Sequence, residues 1–138
     1  MSEADALAIA RRFASALDRC DFAEAAGCLS ADCRYQTGRA TLTGPVAIIA
    51  SYRESAEWGS HNLDRVIYES EVSQDGDGFR VLYIDRITRR GRTHEYRCCQ
   101  RLTFNKAGRI TRIVHEELPG EREKLDAFFA ESGVQRGN

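Results

Sequence analysis

The chain is poor in the features that usually announce a function. Its formal net charge is -1 with a pI near 6.3, so it lacks the basic excess common in proteins that bind nucleic acid or membrane surfaces. Its five cysteines (Cys20, Cys28, Cys33, Cys98 and Cys99) form no Cys-x-x-Cys pair, which argues against a zinc or dithiol motif and reads as reduced thiols of a cytoplasmic protein. No apolar run approaches the ~20 residues that span a bilayer. Met1 to Ala10 carries Glu3 and Asp5 and no basic segment ahead of an apolar run, so no signal peptide is expected. No repeat, low-complexity tract or interdomain linker is visible. The expectation is one soluble domain over residues 1–138, with 134–138 frayed.

What the chain does have is alternation. Thr93 to Phe104 reads as a long strand between two turns, Arg90-Gly91 before it and Asn105-Lys106-Ala107-Gly108 after it. Phe79 to Leu118 is therefore expected to form a three-stranded antiparallel meander. Setting Arg89 opposite Arg92 puts Asp85 opposite Tyr96 and Tyr83 opposite Cys98, while setting Phe104 opposite Arg109 puts Cys98 opposite His115. One face then runs from an apolar end (Val81, Leu102, Phe104, Ile113) to a polar end (Asp85, Tyr96, His115, Glu117). Such a gradient suits a pocket with a reactive end. The opposite face is expected to carry an apolar row, Leu82, Cys99 and Val114, flanked by Ile84 and Ile110, and an arginine row, Arg80, Arg101 and Arg112.

Helical signals precede the sheet. Ser2 with Asp5 and Asp21 with Glu24 are capping pairs; the first opens a helix with Ala6, Ile9, Ala10, Phe13 and Leu17 on one face. Cys33 to Thr37 and Ala40 to Thr43 read as short strands. Gly44-Pro45 starts a third helix, with Gly59 as its expected stop. Asn62 to Ser73 reads as a long strand whose first set, Asp64 included, is expected to face inward. Pro119-Gly120 breaks the sheet before a last helix, Glu121 to Ser132.

This order of elements resembles the nuclear transport factor 2-like superfamily in its small SnoaL-like branch. The likeness rests on Ala8 to Asp21, Leu29 to Tyr35, Leu42-Thr43-Gly44-Pro45, and Phe104 to Ile113 with Lys106-Ala107-Gly108-Arg109-Ile110. It implies an α+β fold: a cone-shaped, curved antiparallel sheet wrapped around N-terminal helices, here with an additional C-terminal helix, a pocket open at one end, and often a dimer through the outer sheet face. Members include isomerases, dehydratases, hydrolases, cyclases and proteins without chemistry, so the fold does not fix the function. In the ketosteroid isomerases of this superfamily a catalytic carboxylate lies on the short strand before the third helix. The matching stretch here, Tyr35-Gln36-Thr37-Gly38, has none.

The expected catalytic set is His115, Asp85 and Tyr96. A histidine near a carboxylate and a phenol can both take and give a proton near neutrality, as isomerisation or elimination of water requires. Tyr35, Tyr83, His94, Cys98, Gln100 and Glu117 are the expected substrate-binding residues. The bland alternative is a buried polar network in which these groups satisfy one another. His94, His115, Asp85 and Glu117 lack a short histidine motif, so no metal or cofactor is expected. The first reading is an isomerase, lyase or hydrolase acting on a small, mostly apolar molecule; the other is a non-catalytic ligand-binding or protein-interaction module. The expected partners are a small-molecule ligand and a second copy of the chain, with no membrane and no nucleic acid.

Overall fold

The computed structural model describes residues 2–135. Helices α1 (Glu3–Asp18) and α2 (Phe22–Gly27) lead into strands β1 (Leu29–Gln36) and β2 (Thr41–Thr43) and helix α3 (Pro45–Asn62). Strands β3 (Arg65–Asp75), β4 (Gly78–Arg89), β5 (Arg92–Phe104) and β6 (Ile110–Glu117) follow, then helix α4 (Glu121–Glu131). The caps act as the sequence implies. Ser2 and Asp5 form a reciprocal box, and the Asp21 side chain accepts from the Glu24 N–H. Pro45 occupies the first turn of α3, but Gly59 does not end it. The helix continues to Asn62, and a methyl at Gly59 would stand 3.4 Å from Tyr68 Oη and from Val66 Cγ2, so glycine there lets α3 lie close to β3.

The six strands form one sheet in the order β2-β1-β6-β5-β4-β3. It is mixed: β1 runs parallel to β6, where the sequence suggested only antiparallel pairing. The β4–β5 turn is as expected. Arg90 and Gly91 have φ of 51° and 75°, the left-handed pair that suits the strand twist, and the strained Arg90 N–H donates to Asp64 Oδ2 at 2.8 Å. Asp64 is thus exposed and bound to that turn; it does not face inward.

The β5–β6 register differs from the expected one. Asn105 Oδ1 accepts from the N–H groups of Ala107 and Arg109, which carries the turn to Arg109 and pairs Phe104 with Ile110. The next pair is Thr103 with Arg112, leaving Thr111 as a bulge. The combined slip is by two, so His115 and Glu117 keep their face but change neighbours: Gln100 lies opposite His115, and Cys98 opposite Glu117. Ile110 crosses to the concave side and is fully buried. On the convex side the slip dissolves both expected rows. Val114 lies opposite Arg101, and Arg112 opposite Thr103 with its guanidinium on Gln36. Ile84 and Cys99 are buried on that side, where the stems of charged side chains cover apolar surface.

Two apolar clusters fill the concave side. The larger joins α1, α3 and the sheet through Ala10, Phe13, Ile48, Val81, Leu102 and Ile113, and the alanines of α1 allow close helix–sheet approach. The smaller places Leu125, Phe128 and Phe129 of α4 against Leu63, Ile87 and Tyr96. Val134, expected to be frayed, packs on this cluster, and its N–H donates to Phe129 O at 2.9 Å. Residues 136–138 of the expected frayed end lie outside the described residues.

Candidate functional site

A cavity of about 540 Å³ is lined from both clusters. That volume is within the range of small-molecule sites. Period-two alternation brings Tyr83, Asp85 and Ile87 of β4 and Tyr96, Cys98 and Gln100 of β5 to its wall, and β6 adds His115. β1 contributes Tyr35. Of the expected site residues, His94 and Glu117 do not line it. His94 is stacked on Phe128 of α4 at 5.2 Å, because α4 covers that end of β5. Glu117 accepts from Arg122 at 2.6 Å, and Arg122 is the residue that reaches the cavity, its guanidinium 5.8 Å from the Tyr96 ring centre. His94, His115, Asp85 and Glu117 are not gathered at one point: among the described residues no group of three or more His, Cys, Asp or Glu could hold a metal ion.

The apolar end of the concave face is not part of the cavity. Val81, Leu102 and Ile113 are sealed under α1 and α3. The apolar wall is provided by Val66 of β3, on the set expected to face inward, and by residues that strand alternation did not single out: Trp58 of α3, Leu63 just after it, and Leu125 and Phe129 of α4.

At one side Gln100 is the hub. Its Oε1 accepts from Tyr52 Oη at 2.6 Å, its Nε2 donates to Tyr35 Oη at 2.9 Å, and His115 Nδ1 is 3.5 Å from that nitrogen. Tyr35 and Tyr52 are stacked, with centroids 5.3 Å apart and planes at 6°. Burial pushes the Tyr35 phenol up to about 12 and lowers the His115 imidazole, so near neutral pH both are uncharged.

The other side holds the carboxylates. Asp85 is pushed up to about 7, first by burial and then by the charge of Asp18. Among the described residues none hydrogen-bonds to the Asp85 carboxyl. Asp18, in the last turn of α1, is raised by burial, an effect the Ser70 hydroxyl opposes by donating to Oδ2 at 2.6 Å. Tyr83 Oη is shut off from solvent with no hydrogen-bond partner. Cys98 is pushed up to about 12, chiefly by burial and next by Asp85, so it is a protonated thiol and not a nucleophile.

Asp18, Tyr52, Tyr68 and Arg122 are among the polar lining residues that the sequence did not mark as site residues. For Asp18 a signal existed. It lies four residues beyond Ala14 on the buried face of α1, and a carboxylate in a last helical turn opposes the helix dipole. Tyr52 lies on α3, and nothing in the local sequence reveals that it meets Gln100.

Residues 10–113 match the SnoaL-like domain family. The chain belongs to that family. No curated protein matches the sequence. Among solved structures, an NTF2-like protein of unknown function from Burkholderia pseudomallei is 20% identical, with a TM-score of 0.68 over 91% of this chain and 98% of that one. TerC, crystallised with polyporic acid, is 16% identical, with a TM-score of 0.64 over 93% and 97% of the two chains. A de novo designed protein with a curved β-sheet is 19% identical, with a TM-score of 0.65 over 95% and 99%. Likeness at these identities establishes the α+β NTF2-like fold and leaves the chemistry to the SnoaL-like site itself.

Proposed function

We propose that this SnoaL-like chain binds a small, mostly apolar organic molecule in the cavity and moves a proton on it, as an isomerase, lyase or hydrolase does. Asp85 takes the leading role. The observation that carries this reading is a carboxyl open to the cavity, free of hydrogen bonds and held at about 7, where it accepts and releases a proton with comparable ease. His115, lowered by burial, acts as a neutral hydrogen-bonding group, and Tyr96, Tyr83 and Tyr35 supply further polar contacts. Trp58, Leu63 and Phe129 hold the apolar body of the ligand. TerC, of the same fold, was crystallised with a small organic ligand, which supports a ligand-binding role for the cavity.

Thermal-shift screening of small carbonyl and hydroxy compounds at pH 7 finds ligands, and turnover is then followed for each. Asp85→Asn should abolish turnover while leaving the fold intact. Full turnover by that variant overturns the assignment of Asp85. Binding without turnover by wild type favours the non-catalytic ligand module.

Two further parts of the proposal are separate from the chemistry. Association through the convex face is supported by Ile67, 36% exposed, and by half-buried Leu82 and Val114 on separate rows of that face; sedimentation at micromolar concentration tests it. A reducing, cytoplasmic compartment is supported by five free cysteines, three of them buried as small core residues.

A further inference from the structure

The charge inside the cavity is unbalanced. Asp18 from α1 and Asp85 from β4 both open into it, and among the described residues no cation offsets either one. The two arginines at its wall are placed elsewhere: Arg122 is held by Glu117 beside Tyr96, and Arg39 is exposed at the rim. Partly buried carboxylates without a counter-charge are costly. A protein that needed only a stable core would replace them with neutral groups.

A second observation points to what completes the site. Tyr83 Oη, on the cavity wall two residues from Asp85, has no partner although its oxygen is shut off from solvent. A phenolic oxygen can accept a hydrogen bond. Tyr52, Trp58, Tyr68 and Tyr96 also line the cavity. Aromatic rings attract a cation through their negative faces.

We infer that the cavity takes a small organic amine, with its protonated nitrogen between Asp18 and Asp85 and its apolar part against Trp58, Leu63 and Phe129. This rests on the reading of the cavity as a ligand site and adds the chemical class of the ligand. An ammonium supplies the missing positive charge and donates to the carboxylates. A ligand of that charge also favours ionised Asp85, which is otherwise held at about 7. An anionic ligand would place a third negative charge in the same space.

The test compares three probes of one shape on the wild-type protein by titration calorimetry at pH 7.5: 2-phenylethylamine, 2-phenylethanol and phenylacetate. The amine should bind about tenfold or more tightly than the alcohol, and the acid more weakly than either. Asp18→Asn and Asp85→Asn, each checked for folding by circular dichroism, should remove the preference for the amine over the alcohol. Binding of the alcohol or the acid as tightly as the amine overturns the amine inference while the ligand-site reading stands. No heat and no thermal shift with any of the three overturns both. The probe comparison requires no variant, so it decides the matter even if neither substitution folds.

Discussion

The two faces of the β4–β5 ribbon are built by the same alternation and treat charge in opposite ways. On the convex face charges meet charges. Arg86 lies between Glu69 and Glu95, Arg97 reaches Glu95, and Arg101 reaches Asp75 and Glu116, all partly in water. On the concave face Asp85 and Tyr83 Oη lack such partners, and Asp18 has only a hydroxyl. Solvated, mutually paired side chains are ordinary surface chemistry worth little each. Desolvated groups without partners are retained at a cost in stability, and the proposed ligand site rests on that contrast.

Substitutions on each face test this contrast, and the largest effect should come from the filled end of the concave side. Leu102, 1% exposed at the centre of the main cluster, should lose about 3 kcal/mol of stability on Leu102→Ala, read from chemical denaturation. A loss below 1 kcal/mol would mean that this end is as loosely packed as the cavity.

Asp85→Asn follows, with a pH signature. The folded pKa of Asp85 is raised from 3.8 to about 7, so its contribution to stability is full below the unfolded value and is lost as pH rises through about 7. Asparagine does not ionise. The variant should therefore be more stable than wild type by up to about 2 kcal/mol above pH 8, and equal to it below about pH 4. Taking the difference cancels the opposite contribution of His115, whose pKa is lowered by burial. A pH-independent difference would break the contrast, because Asp85 would then be solvated like the convex carboxylates.

Tyr83→Phe removes a hydroxyl that has no partner and should raise stability by up to about 1 kcal/mol, whereas Tyr52→Phe breaks the 2.6 Å bond to Gln100 and should lower it by about the same amount. Equal losses from both would show that Tyr83 has a partner in solution. The smallest effect is expected outside. Arg86→Ala should change stability by less than about 0.5 kcal/mol, and less again at high salt. A larger, salt-resistant loss would mean that the convex face is covered by another chain.

Much of the fold was legible because its signals are local. A capping pair, a proline at the first turn of α3 and a two-residue turn at Arg90-Gly91 act over a few residues, and the sequence states them directly. Alternation then placed Tyr83, Asp85, Tyr96, Cys98 and His115 on one face without any tertiary information, and all of them line the cavity. What a strand pattern cannot contain is the geometry of its partners. The Asn105 side chain carries the turn one residue further and Thr111 bulges, and the two shifts together moved His115 from Cys98 to Gln100. Parallel pairing of β1 with β6 joins residues some 80 positions apart, as in Tyr35 with Ile113. Whether the apolar or the polar end of the concave face stays open depends on which helices cover it. The meander by itself suggested Val81 and Leu102 as a ligand wall, yet α1 and α3 fill that end and α4 walls the other. Asp18 belongs to the site for the same reason: its helix is docked so that the last turn ends at the cavity. Local sequence determined which side chains could share a face, and long-range packing alone decided which of them were left without partners.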